Sequence, residues 1–63
     1  MHPATELVLK FFAFDHLPKR LQIVSKPFGD LALEVAARAD NPETTVALRK
    51  LLEAKDAAVR AAL

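Results

Sequence analysis

The sequence predicts an all-α fold: a helical hairpin with a short N-terminal helix, assembling into a compact homo-oligomer. Three observations lead there. Apolar residues return at three- and four-residue intervals over most of the chain. One glycine and few β-branched runs leave the helix formers Ala, Leu, Lys, Arg and Glu dominant. Finally, 52% of only 63 residues are hydrophobic, more than one small interior can hide.

The chain reads as a single domain, 1–63, with a short helix over about 5–14, a kinked helix over 18–40 and a C-terminal helix over 42–63. Thr5 is the expected cap of the first, with Glu6 in its first turn. Leu7, Val8, Leu9, Phe11, Phe12 and Phe14 leave that helix almost no polar face, so burial on more than one side is expected. Asp15-His16-Leu17-Pro18 then forms a corner, with Pro18 suited to a first helical position. From it Leu17, Leu21, Val24, Phe28, Leu31 and Val35 follow at intervals of 4, 3, 4, 3 and 4, the seam of one helix packing along another. Pro27 interrupts that seam and should kink the helix or break it near Val24, with Ser25 available to cap a new start. Because the phase survives Pro27, one kinked helix is preferred to two.

Asp40-Asn41-Pro42-Glu43 supplies a cap, a first-turn proline and a first-turn acid in the order a new helix needs. Thr45, Leu48, Leu52, Lys55, Val59 and Ala62 then mark its inner stripe, widened by Leu51, Ala58 and Leu63. Arg49–Glu53 and Asp56–Arg60 are spaced as i, i+4 ion pairs. A link this short makes the two long helices antiparallel neighbours.

Self-association follows from size. A single core in so small a chain rarely supplies more than about 3–5 kcal/mol, and disulfides, a metal or other copies usually make up the deficit. The sequence has no cysteine and only two separated histidines, which leaves other copies. A minimal three-helix monomer is the competing architecture.

Charge and motifs exclude several function classes. No apolar run approaches the roughly 20 residues that span a bilayer, and no basic segment followed by an apolar one marks a signal peptide, so a soluble cytoplasmic protein is expected. A net charge of +1 argues against a large phosphate-tracking surface. The charge is uneven, however. Residues 1–27 hold four cations against two carboxylates, and residues 28–63 hold five against six. Ser25 is the one serine, the carboxylates are dispersed, and Gly29 stands alone without a phosphate loop, so no catalytic residues, metal or cofactor are expected. Phe11, Phe12, Phe14 and Phe28 lie among Lys10, Lys19, Arg20 and Lys26, a mixture able to stack a base and hold a phosphate. On composition alone, core packing for the phenylalanines and a solvated surface for the cations is the weightier explanation of the same residues. His16 is either a hydrogen-bonding corner residue or a ligand contact. Lys55, inside the apolar stripe, either extends its charge past the seam or is repeated around an anionic pocket.

Phe14-Asp15-His16-Leu17-Pro18, the tract Leu21-Gln22-Ile23-Val24-Ser25-Lys26-Pro27-Phe28-Gly29-Asp30-Leu31-Ala32 and the tract Ala47-Leu48-Arg49-Lys50-Leu51-Leu52-Glu53-Ala54-Lys55-Asp56-Ala57-Ala58-Val59-Arg60-Ala61 together resemble the phage anti-CBASS protein 2 family, whose hairpin domain is shared with anti-Thoeris sponges. The likeness covers about residues 11–63. It implies a small helical homohexamer that sequesters cyclic oligonucleotide second messengers of bacterial CBASS defence without cleaving them, inside the infected host cell. Cyclic dinucleotides such as cyclic GMP-AMP would sit between subunits, and cyclic trinucleotides would lie near a threefold axis. By the same resemblance Lys26 corresponds to the phosphate lysine, Phe11 or Phe14 to the stacking aromatic, His16 to the corner histidine and Arg60 to the trinucleotide arginine. Phe14 stands where relatives often carry tyrosine, which keeps the stacking face and removes a hydroxyl. The rival readings are a small helical DNA-binding protein and a phage regulatory or assembly protein. Glu53 and Asp56 on the last helix count against insertion into a DNA groove.

Overall fold

The first helix begins where a proline and an imidazole allow it. The computed structural model describes residues 1–63 and contains three helices and no strand: α1 Pro3–Lys10, α2 Lys19–Arg38 and α3 Pro42–Ala61. Pro3 occupies the first turn of α1, and the His2 side chain caps it, Nδ1 accepting from the Ala4 amide at 3.0 Å. The expected Thr5 cap is therefore displaced. Thr5 lies inside the helix, 2% exposed, and its hydroxyl pairs with Thr45 Oγ1 at 3.3 Å.

α1 also ends earlier than expected. After Lys10 the chain tightens into turns, with Phe11, Phe12 and Ala13 donating to the Val8, Leu9 and Lys10 carbonyls at 3.1, 3.1 and 3.3 Å. These bonds span three residues, so Phe14 leaves the helical path and the corner follows. Nor is α1 buried on several sides. Val8 and Phe12 face inward, whereas Leu7 and Phe11 remain 52% and 58% exposed.

Pro18 precedes α2 without a capping side chain, and the Gln22 amide steadies the corner by donating to the Leu17 carbonyl at 2.8 Å. α2 then passes through Pro27 as a single helix, so Ser25 caps nothing. The ring of Pro27 lies on an exposed face, and the carbonyl it leaves unpartnered belongs to Ile23, whose residue is 75% exposed. Water can replace the missing bond there, which is why the proline is tolerated.

The face that α2 buries is not the expected seam. Leu21, Ser25, Gly29, Ala32 and Ala36 form the inner line, while Val24, Phe28 and Val35 are half-buried and Leu31 is 45% exposed. At about 100° per residue the two lines lie roughly 80° apart around the helix. Small side chains let backbones approach closely, and the bulky seam becomes a flank of the contact rather than its centre. The Ser25 hydroxyl is fully buried there and has no hydrogen-bond partner.

Gly29 marks the approach of α2 to the end of α1. A Cβ built on it would lie 3.5 Å from the Phe12 carbonyl oxygen and 3.8 Å from Phe12 Cβ, ordinary van der Waals contact. Gly29→Ala is therefore expected to stabilise the fold by about 0.5–1 kcal/mol, through lower entropy of the unfolded chain and better helix propensity. A denaturant midpoint that falls instead would show that this contact has no room for a methyl group.

Ala39 is extended, and the Asn41 carboxamide opens α3 by accepting from the Glu43 and Thr44 amides at 3.0 and 3.3 Å. The Thr44 hydroxyl accepts from the Asn41 amide in return, completing a capping box, and donates to the Ala39 carbonyl at 2.9 Å. Leu48 is the buried centre of α3, with Leu51, Leu52, Lys55 and Val59 half-buried along the same side. The expected ion pairs are re-partnered. Glu53 meets Lys50 at 3.5 Å, and Asp56 meets Lys55 at 2.9 Å.

One cluster, Val8, Phe12, Ala32, Ala36 and Leu48, joins all three helices. α2 and α3 form an antiparallel hairpin; the Arg20 guanidinium at the start of α2 reaches the Ala62 carbonyl at 3.0 Å and so caps the end of α3. α1 runs parallel to α3, since Thr5 meets Thr45 at one end and Phe11 meets Lys55 at the other. No helix is long and apolar enough to cross a membrane.

Candidate functional site

Where α1 ends, three elements meet around an open cleft of about 400 Å³. Its walls are the end of α1, the 11–17 segment and the last turns of α3. Ala13, Leu17 and Val59 supply its apolar surface, and Lys10, Phe11, His16, Lys55, Asp56 and Arg60 surround them. Three of the five residues singled out from the sequence, Phe11, His16 and Arg60, thus come together although 49 positions separate the first from the last.

Each is placed by a local cause. Phe11 is the C-cap of α1, and the tightened turn after it leaves the residue 58% exposed at the mouth. His16 sits in the corner, exposed, with Leu17 behind it donating to the Phe14 carbonyl at 3.0 Å. Arg60 lies in the last turn of α3. Its expected partner Asp56 is engaged by Lys55, and no ion pair involves Arg60 or Lys10, so both cations remain available to a ligand.

Lys55 differs from the other cations. Its side chain is only 12% exposed, and Nζ lies 2.9 Å from Asp56 Oδ1 while donating to the Phe11 carbonyl, also at 2.9 Å. The charge is therefore turned back onto the end of α1 rather than extended past the seam. Together the cleft holds three cations against one carboxylate, an imidazole and an exposed aromatic ring.

Phe14 and Lys26 are not in it. Phe14 lines a smaller cleft of about 230 Å³ on the other side of the 11–14 turn, with Leu9, Phe12, Gly29, Asp30 and Leu33. The two clefts share Lys10 and Ala13. Lys26 borders neither. It is exposed on α2 and paired with Asp30 at 2.6 Å, so it reaches the Phe14 side only through that carboxylate. Within the chain the five residues therefore divide into Phe11, His16 and Arg60 on one side and Phe14 with Lys26 on the other.

No family model, curated protein or solved structure matches this chain.

What the cleft can do follows from its groups. Arginine and lysine side chains offer charge-assisted hydrogen bonds to phosphate, the exposed phenyl ring offers a stacking face, and the imidazole offers a donor or acceptor to a base edge. Ser25 is sealed in the inner face of α2 and lines no cleft. No three His, Asp or Glu residues gather closely enough to hold a metal ion. A third cleft, at the opposite end between His2, Asp40, Asn41, Val46 and Arg49, contains none of the expected residues, and His2 and Asn41 are occupied there as helix caps.

Lys10 and Lys55 also line the cleft, although the sequence named Lys10 only among several cations near the phenylalanines and left Lys55 between two readings. Lys10 carried a signal, being adjacent to Phe11 at a helix end. Lys55 carried another, since a lysine within an apolar stripe needs a partner for its charge.

Proposed function

We infer that this chain is a non-catalytic binding module that self-associates and sequesters cyclic di- and trinucleotide second messengers of bacterial CBASS defence, acting for a phage in the cytoplasm of the infected cell. The observation that carries this reading is the convergence of Phe11, His16 and Arg60 beside Lys10 and Lys55 in one cationic cleft. A volume of about 400 Å³ lies within the common range for small-ligand sites. Cyclic oligonucleotides, the ligand class implied by the sequence resemblance, present the phosphates and flat bases that such a cleft suits.

Self-association has separate support. Only 10 of 63 residues are buried, and Ile23, Leu33, Leu31 and Leu63 remain 75%, 60%, 45% and 75% exposed. Surface of this kind is covered most simply by further copies of the chain, a homohexamer in the family it resembles. Assembly would also reunite the divided site, because Phe14 and Lys26 of one copy could complete the Phe11–Arg60 cleft of another.

The test is calorimetric titration of the purified protein with cyclic GMP-AMP and with a cyclic triadenylate, alongside light scattering for mass. Proteolysis of the loaded protein should then release the ligand intact. Cleaved ligand would make the protein a phosphodiesterase. Tight binding to duplex DNA without binding to either cyclic nucleotide would favour the DNA-binding rival. A monomer by light scattering would remove the assembly part of the proposal.

A further inference from the structure

Lys55 is an unusual lysine for this fold. It occupies the inner stripe of α3 between Leu52 and Val59, where an uncharged side chain would pack at lower cost. Its side chain is largely withdrawn from water, yet its ammonium is not idle. The end of α1 has four carbonyls without helical partners, as every helix end does. Those of Val8, Leu9 and Lys10 accept from Phe11, Phe12 and Ala13 in the tightened turn. The Phe11 carbonyl accepts from Lys55 Nζ at 2.9 Å. Asp56, the next residue along α3, holds the same ammonium at 2.9 Å.

We propose that Lys55 is a positioning residue of the cleft, fixing the Phe11 peptide at the end of α1 so that the Phe11 ring stands at the mouth, while Lys10 and Arg60 contact the anionic ligand. The inference rests on the cyclic-nucleotide reading for its ligand but not for its geometry. Three features carry it. The Lys55–Phe11 contact is the one hydrogen bond joining α3 to this end of α1; the other α1–α3 bond, Thr5 to Thr45, lies near the opposite end. Positive charge at a helix C-terminus is favourable, so the ammonium is stabilised where it stands. Asp56 and the carbonyl already occupy two of its three donors, whereas Lys10 and Arg60 have no such partner.

A double-mutant cycle separates positioning from direct contact. The probe is cyclic GMP-AMP, titrated into wild type, Lys55→Met, Phe11→Ala and the double variant. Methionine keeps the length and apolar stem and removes the donor. Lys55→Met is expected to weaken binding about tenfold in the wild-type background and less than about twofold when Phe11 is already alanine, because the lysine acts through that ring. Lys55→Arg, which retains a cationic donor, should recover most of the loss.

Persistence of the full loss in the Phe11→Ala background would mean that Lys55 touches the phosphates, and would overturn the proposal. A ligand-free readout guards against failure of the ligand assignment itself. In Lys55→Met, amide exchange at Phe11, Phe12 and Ala13 should quicken relative to the α2 core. Unchanged exchange there would overturn the positioning role even if no cyclic nucleotide binds. Faster exchange in a protein that ignores cyclic GMP-AMP would uphold the role and reject only the ligand.

Discussion

Leu48→Ala is expected to leave the isolated chain largely unfolded at 25 °C. Leu48 is fully buried and belongs to the cluster that joins Val8 and Phe12 at α1 to Ala32 and Ala36 on α2. Removing three carbons from such a position costs about 2–5 kcal/mol, the transfer term plus the cavity left behind. A core of this size supplies only about 3–5 kcal/mol, so the loss approaches the whole. The α2 residues buried in the same cluster, Ala32 and Ala36, are too short to fill the gap, and only the half-buried Phe28 and Val35 at its edge could shift toward it. Far-ultraviolet circular dichroism during urea titration reads the effect directly. Leu48→Met, which conserves volume, should cost less than about 1.5 kcal/mol and serves as the comparison. A Leu48→Ala protein that melts within a few degrees of wild type would mean that contacts between copies, rather than this cluster, hold the helices together.

The second large effect concerns the cleft. The resemblance gives Arg60 to cyclic trinucleotides, but Arg60 lines the same cleft as Phe11, so Arg60→Ala and Phe11→Ala are each expected to weaken cyclic GMP-AMP binding by roughly 5- to 150-fold, corresponding to about 1–3 kcal/mol for a lost charge-assisted contact or stacking face. Neither should unfold the chain, since both side chains are exposed. Arg49→Ala is the control, an exposed cation in the cleft at the far end of the molecule. If Arg49→Ala weakens binding as much as Arg60→Ala, the affinity comes from overall charge and not from this site.

Lys26→Ala adds information of a different kind. Lys26 borders neither cleft near the end of α1, so in a site built within one protomer its removal should have little effect. A loss as large as that of Arg60→Ala would instead show that ligand pockets are assembled between copies. Mixing Lys26→Ala and Arg60→Ala protomers should then restore a fraction of the sites.

Much of this molecule was legible in the order of its residues. The start of α3 was, because Asn41 and Pro42 act on their own neighbours and need no tertiary partner. So were the all-helical class and the hairpin; a single α2 through Pro27 was only the preferred of two readings, since apolar phase favours continuity without excluding a break. Features set locally but by unusual groups were harder to see. A histidine cap before Pro3 displaced the expected cap at Thr5, since an imidazole nitrogen can accept an amide proton as a hydroxyl can.

Packing decided the rest. Apolar periodicity marks which residues avoid water but not which of them meet first, and α2 turned Ser25, Gly29, Ala32 and Ala36 inward because small residues permit the closest approach. The sequence likewise supplied the ion-pair spacings on α3, but only the fold brought the Phe11 carbonyl to Lys55, which drew in Asp56 and left Arg60 free. The candidate site changed for the same reason. Residue type marked Phe11, Phe14, His16, Lys26 and Arg60 as able to bind a nucleotide, and the turn after α1 placed Phe14 on one side and Phe11 on the other. Chain composition determined the chemistry available to this protein; the route of the backbone between α1 and α2 decided which of those groups share a cleft.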